Sequence, residues 1–215
     1  EGAIGSEFKI DASYLSPNVN VATRLEAATT QFGVWMLVSH FMIELCNPEM
    51  GAHCRLIDHV VVKGSRTPLR LYTVDLDCLA LGVQLSRPER IIKNRFKIRQ
   101  LRELRKNEKW SEEYTVYEAF ETDEDIVRMR AKFSMEFFRR FSMAYRNYEA
   151  GEWRVARDML FTCHYTPKSD AGRYVVTSEA DWPEDGPTVT LLNFMQQTKY
   201  RPPQDWPGHR ELPDH

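Results

Sequence analysis

Apolar positions along the first third of the chain change their period several times, and each change marks an element. Val19, Ala22, Leu25 and Ala28 recur at helical spacing behind the turn Ser16-Pro17-Asn18, and the pattern stops at Gly33. A helix is therefore predicted from about Pro17 to Gly33. Val34 to Ser39 reads as a short apolar strand, and Phe41 to Leu45 as a short helix closed by Asn47-Pro48. The β-rich runs Cys54 to Lys63 and Leu69 to Leu76 flank the five-residue stretch Gly64-Ser65-Arg66-Thr67-Pro68, which suits a hairpin connection. Together these elements predict an α+β sheet layer over residues 1–78.

From Pro88 onward the pattern is helical. A linker and a basic helix, Arg90 to Lys109, are expected over 79–110, and a helical extension over 111–215. Within the extension, Tyr114 to Asp125 is acidic and aromatic. Asp123 to Ala150 reads as one long amphipathic helix with acids in its first turn and Gly151 at its end. A second helix from Glu152 to Cys163, a polar loop from Thr166 to Gly186 and a third helix from Pro187 to Gln197 follow. The proline-rich tail from Arg201 to His215 is expected to lie over the surface.

Composition narrows the class. At 215 residues, 42% hydrophobic and 28% charged, the chain has the make-up of a folded domain and the length for two cores. The longest apolar run, Val34 to Val38, is far too short to span a membrane, and the N-terminus lacks signal-peptide form. Cys46, Cys54, Cys78 and Cys163 show neither CxxC pairing nor a zinc-like spacing with histidine, so free thiols in a reducing, cytoplasmic compartment are expected. Because Glu1 rather than Met opens the sequence, the chain also reads as a fragment, with the cytosolic part of a membrane-bound parent as one expectation. The net charge of −2 conceals a local excess, since Arg87 to Lys109 holds ten basic residues against three acidic ones.

The stretch Asn18-Val19-Asn20-Val21-Ala22-Thr23-Arg24-Leu25-Glu26 resembles the "VNxAxRLE" helix of class III adenylyl and guanylyl cyclases. Gly33-Val34 to Val38-Ser39, Cys54-Arg55-Leu56-Ile57-Asp58, and Val61-Val62-Lys63-Gly64 through Pro68 to Leu71-Tyr72-Thr73-Val74 follow in that family's order and spacing. Lys9 to Asn18 resembles the wording of protist members. The resemblance implies that residues 1–78 are the C-terminal half of the catalytic domain, a ferredoxin-like sheet with helices, followed by an all-helical region.

The implied chemistry is attack of the ribose 3′-oxygen on the α-phosphorus of ATP or GTP, with pyrophosphate leaving. Such phosphoryl transfer is catalysed mainly by positioning and charge stabilisation. By resemblance, Arg24 would stabilise the transition state at the α-phosphate and Asn20 would orient the ribose. Residues four apart on a helix share a face, and an arginine fork suits phosphate. Lys63 stands at the position of the family's phosphate-binding lysine. Ser13 stands where the purine edge is read, and its hydroxyl can accept from adenine or donate to guanine, with adenine favoured. The family's two metal-binding aspartates belong to the N-terminal half, so Mg²⁺ or Mn²⁺ would be held in the parent by ligands outside this chain. Neither Asp11 nor Asp58 sits in the family's metal motif, and this chain alone is expected to be inactive. A second cyclase domain, as homo- or heterodimer, is the implied partner. The alternative is a degenerate cyclase half serving as a scaffold or regulatory interaction module.

Ala144 to Arg157 resembles the middle of a tetratricopeptide repeat, with Gly151, Trp153, Ala156 and Leu160 as packing positions. Phe133, Phe137, Phe138, Phe141 and Tyr145 are then core aromatics. The basic helix could bind calmodulin, an anionic membrane or an acidic protein face. Packing against the seven acids of Glu112 to Asp125 is the preferred reading. Nucleic acid is not an expected partner.

Overall fold

A computed structural model describes residues 2–6, 9–13, 16–63, 67–82, 95–111, 114–165 and 183–213. The expected hairpin turn at 64–66 and most of the polar loop lie outside the described residues. The chain divides into two compact units, one made of Glu1–Asp75 with Lys132–His215 and the other of Leu76–Ala131.

The first unit is α+β. Strands β1 (Gly2–Ser6) and β2 (Lys9–Ser13) form a two-stranded antiparallel ladder. Helix α1 (Pro17–Phe32) begins because Ser16 caps it, its side chain accepting from the Val19 N–H at 3.3 Å, with Pro17 in the first turn. It ends because Gly33 takes φ 60°, which lets the Gly33 and Val34 N–H groups close on the Thr30 and Thr29 carbonyls. Strand β3 is only Val38–Ser39, shorter than the expected run from Val34. Helix α2 (His40–Glu44) follows. Asn47-Pro48 does close it, but Asn47 also caps a further helix, α3 (Pro48–Ala52), by accepting from the Met50 N–H at 3.0 Å.

Strands β4 (Cys54–Val61) and β5 (Leu69–Val74) pair antiparallel, as the hairpin pattern predicts. The register skips Ile57, so β4 carries a bulge there. That extra residue shifts the parity of the strand. Arg55 before the bulge, and Asp58 and Val60 after it, therefore lie opposite the buried residues Thr73, Leu71 and Leu69 of β5. Two charged residues thus end up on the covered face of the sheet.

The cover comes from the C-terminal half of the chain. The single helix expected from Asp123 to Ala150 is broken into α6 (Glu124–Arg130), in the second unit, and α7 (Met135–Glu149), in the first. Ser134 starts α7 as its N-cap, accepting from the Phe137 N–H at 3.2 Å. Phe137, Phe141, Ala144, Tyr145 and Tyr148 form the buried stripe of α7, at the spacing a single packed face requires. Gly151 (φ 83°) turns the chain into α8 (Trp153–Leu160), whose Trp153, Ala156 and Leu160 are buried as expected. Helix α9 (Gly186–Gln196) packs on α1 and α8. Gly186 lies so close to the end of α1 that an added Cβ would collide with the Phe32 carbonyl oxygen.

The tail does more than lie over the surface. Strand β6 (Arg210–Glu211) pairs parallel with β4, completing a four-stranded sheet in the order β3-β5-β4-β6. The C-terminal region is therefore not all-helical. Leu212 is buried, and its N–H reaches the Val61 carbonyl at 2.9 Å. The expected boundary between 1–78 and 111–215 is redrawn, because the apolar faces of α7 to α9 bury Ile57, Val60, Leu69 and Leu71 in one continuous core with Leu25, Ala28 and Phe32 of α1.

The second unit holds a short 3-10 turn (Cys78–Leu81), α4 (Arg95–Lys109), α5 (Ala119–Thr122) and α6. The Asp77 N–H donates to the Met129 carbonyl at 2.8 Å. The expected basic helix is described from Arg95, its residues 90–94 being outside the described set. Among the described residues, no helix is long and apolar enough to cross a membrane.

Candidate functional site

The local sequence that builds α1 also sets out the first pair of candidate residues. Burying Leu25, Ala28 and Phe32 fixes the rotation of the helix, with Val21 half-buried beside them. At 100° per residue, Asn20, Arg24 and Gln31 then project within an arc of roughly 40° along one edge of that stripe. Asn20 is exposed and Arg24 half-buried. The two residues stand one turn apart on that edge. Gln31, further along the same face and not singled out by the sequence reading, has its Oε1 buried with no hydrogen-bond partner among the described residues.

Lys63 follows the last inward residue of the β4 strand region, Val62, and is exposed. Ser13 ends β2 opposite Gly2. The structure thus places Asn20 and Arg24 on one helix, while Lys63, in the turn beyond β4, and Ser13, at the end of β2, lie elsewhere in the same unit.

The most strongly built polar arrangement lies beneath the sheet. Arg55, 5% exposed, donates from Nε and Nη2 to Asp75 at 2.8 and 2.6 Å and from Nη1 and Nη2 to Asp185 at 2.9 and 2.8 Å. Its guanidinium sits 5.0 and 4.4 Å from the ring centroids of Phe137 and Phe141. Asp185 also accepts from the Tyr165 hydroxyl at 3.0 Å, and from the Thr188 N–H and hydroxyl at 3.0 and 2.6 Å, so it caps α9 as well. Burial alone would lift the Asp185 carboxyl, but the Arg55 charge and the Arg55 and Thr188 hydrogen bonds outweigh it and hold it below the usual range. Burial likewise works against the charged Arg55, and the two aspartates more than restore it. Every strong donor here is spent on a partner within the protein, which marks the cluster as a tie between strand, helix and C-terminal segment.

A second buried pair joins Asp58 to the tail. Arg210 Nε donates to Asp58 Oδ2 at 2.8 Å, and the His59 N–H donates to Oδ1 at 2.8 Å. Desolvation still pushes the Asp58 carboxyl up, against the Arg210 charge and these two hydrogen bonds. Near it, the Tyr145 and Tyr148 hydroxyls are held neutral by burial and have no hydrogen-bond partner among the described residues. Cys163 is buried and its thiol pushed up to about 12 by desolvation, which leaves it protonated at neutral pH. No disulfide joins Cys46, Cys54, Cys78 or Cys163.

Among the described residues, no group of three or more His, Cys, Asp or Glu side chains could hold a metal ion. Asp58 is committed to Arg210 and the His59 amide. Comparison of the chain with protein-family models, curated proteins and solved structures finds no match.

Proposed function

We propose that this chain is the ribose- and phosphate-gripping half of a purine nucleotide cyclase. The observation that carries the reading is the placement of Asn20 and Arg24 one turn apart on one edge of α1, beside the stripe of Leu25, Ala28 and Phe32 that is buried in the core. Support comes also from the order of elements, in which that helix precedes a β3-to-β5 sheet with Lys63 at the hairpin end.

In this reading the 3′-oxygen of the ribose bonds to the α-phosphorus as the bond from phosphorus to the pyrophosphate oxygen breaks, and the 3′-hydroxyl proton is lost. Arg24 faces the charge that grows on the α-phosphate, where a preorganised guanidinium stabilises the transition state more than the ground state. Asn20 orients the ribose ring, Lys63 neutralises the outgoing phosphates, and the Ser13 hydroxyl meets the purine edge, with ATP favoured over GTP. In this reading a second cyclase domain would hold Mg²⁺ or Mn²⁺, which would neutralise and align the phosphates.

The test is cyclic AMP and cyclic GMP formation with Mn²⁺ by the complete catalytic domain carrying Arg24→Ala. Loss of one transition-state donor is expected to lower kcat by about a hundredfold or more. Unchanged turnover would remove Arg24 from the mechanism and favour the scaffold reading.

A further inference from the structure

Helix α4, expected from sequence to pack against the acidic passage of its own chain, has no buried side chain. Its fifteen residues carry seven cations and two acids. Five of the cations, Arg95, Arg99, Arg102, Lys106 and Lys109, follow one another at steps of four, three, four and three. At 100° per residue they fall within an arc of roughly 80°, a straight row about 21 Å long at 1.5 Å rise per residue. Ile98 borders the row on one side and Trp110 on the other, and no acid lies between these borders. Trp110 is 78% exposed, with the Lys106 ammonium 4.9 Å from its ring centroid.

Such a row is unusual for a solvated helix, where opposite charges normally alternate around the surface to reduce repulsion. It is matched by a surface that is itself flat and uniformly anionic. A groove in a protein partner would need an apolar stripe at i, i+3, i+4 and i+7. Here Leu101 and Leu104 lie on the far side from the row, interrupted by Lys97, Arg105 and Glu108. Cations in line with an aromatic at their edge are instead the pattern of a helix lying on lipid headgroups.

We propose that α4 docks along an anionic membrane surface, its five-cation row against the lipid headgroups and Trp110 at the interface. The contact is electrostatic rather than a deep insertion, since the row itself contains no apolar residue. It therefore weakens with salt.

The full chain should cosediment with vesicles of phosphatidylcholine containing about a third phosphatidylserine, and not with phosphatidylcholine alone. One basic side chain at such a surface is worth about fivefold in binding, so Arg95→Glu/Arg99→Glu/Arg102→Glu should weaken it about a hundredfold or more. Glu103→Lys, which adds a cation near the row without removing anything buried, should tighten it about fivefold or more. Equal binding to neutral vesicles, no binding to either, or an unaltered Glu103→Lys variant would overturn the proposal. Capture by polyglutamate or a DNA duplex without vesicle binding would overturn it too, and assign the row to that macromolecule instead.

Discussion

Replacing Asp185 by alanine removes a carboxylate that at once caps α9, pairs with Arg55 on β4 and accepts from Tyr165. Breaking a buried ion pair from one side costs about 3–5 kcal/mol because the other charge stays behind. Loss of an N-cap adds about 1 kcal/mol. Arg55 keeps Asp75 and the two phenylalanine rings, which places the total near the lower end, about 4 kcal/mol. That is a large part of the 5–15 kcal/mol that stabilises a typical domain. In urea, with a slope of about 2 kcal/mol/M, the midpoint followed by far-UV circular dichroism should fall by about 2 M. Asp185→Asn, which keeps a capping oxygen and loses the charge, should fall less. Because the Asp185 carboxyl is held low in the folded state, its contribution is present above about pH 4 and is lost as pH falls through its folded value. Asp185→Asn should accordingly lose less stability in acid than the wild-type protein. A drop of under about 1 kcal/mol for Asp185→Ala would refute the idea that this cluster ties the C-terminal segment to the sheet.

Two further outcomes follow from the other charged contacts. Arg210→Met leaves Asp58 buried without its cation and should cost about 3–5 kcal/mol at neutral pH. Asp58 already has a raised folded-state value, so that cost should shrink at low pH, where the carboxyl takes a proton, and Asp58→Asn in the same background should recover part of it. Where the tail meets the sheet, His59 lies 5.3 Å ring to ring from His209 and 3.7 Å from Glu149. Desolvation, then Arg70 and His209, lower its basicity, with Glu149 opposing and His40 adding to the shift. The unfolded chain therefore takes up this proton first as pH falls below about 6.5, so stability should decline from there toward the folded-state value of His59. A His59→Gln variant should show a flatter thermal-melt dependence over that range, and an unchanged slope would count against this assignment.

The elements that could be read in advance are those whose causes lie within a few residues. Ser16 and Gly33 bracket α1, so its ends and the shared face of Asn20 and Arg24 were legible from spacing and cap chemistry. Gly151 and the burial of Trp153, Ala156 and Leu160 were equally local. The stop at Ala131 to Phe133 was harder, since apolar periodicity runs on through it and only the capping Ser134 marks the restart.

By itself, then, the sequence determined the two ends of α1, the pairing of the hairpin strands β4 and β5, the turn at Gly151, and which α1 residues share a face. Only the tertiary structure decided that the C-terminal region closes the same core as the first seventy-five residues and that the tail becomes the fourth strand. The physical reason is that these outcomes depend on pairings across great chain distance. Arg55 and Asp185 are 130 residues apart, and Asp58 and Arg210 are 152 apart. A bulge at Ile57 must turn Arg55 and Asp58 to the same side before either pair can form. No local period encodes which buried charge will meet which.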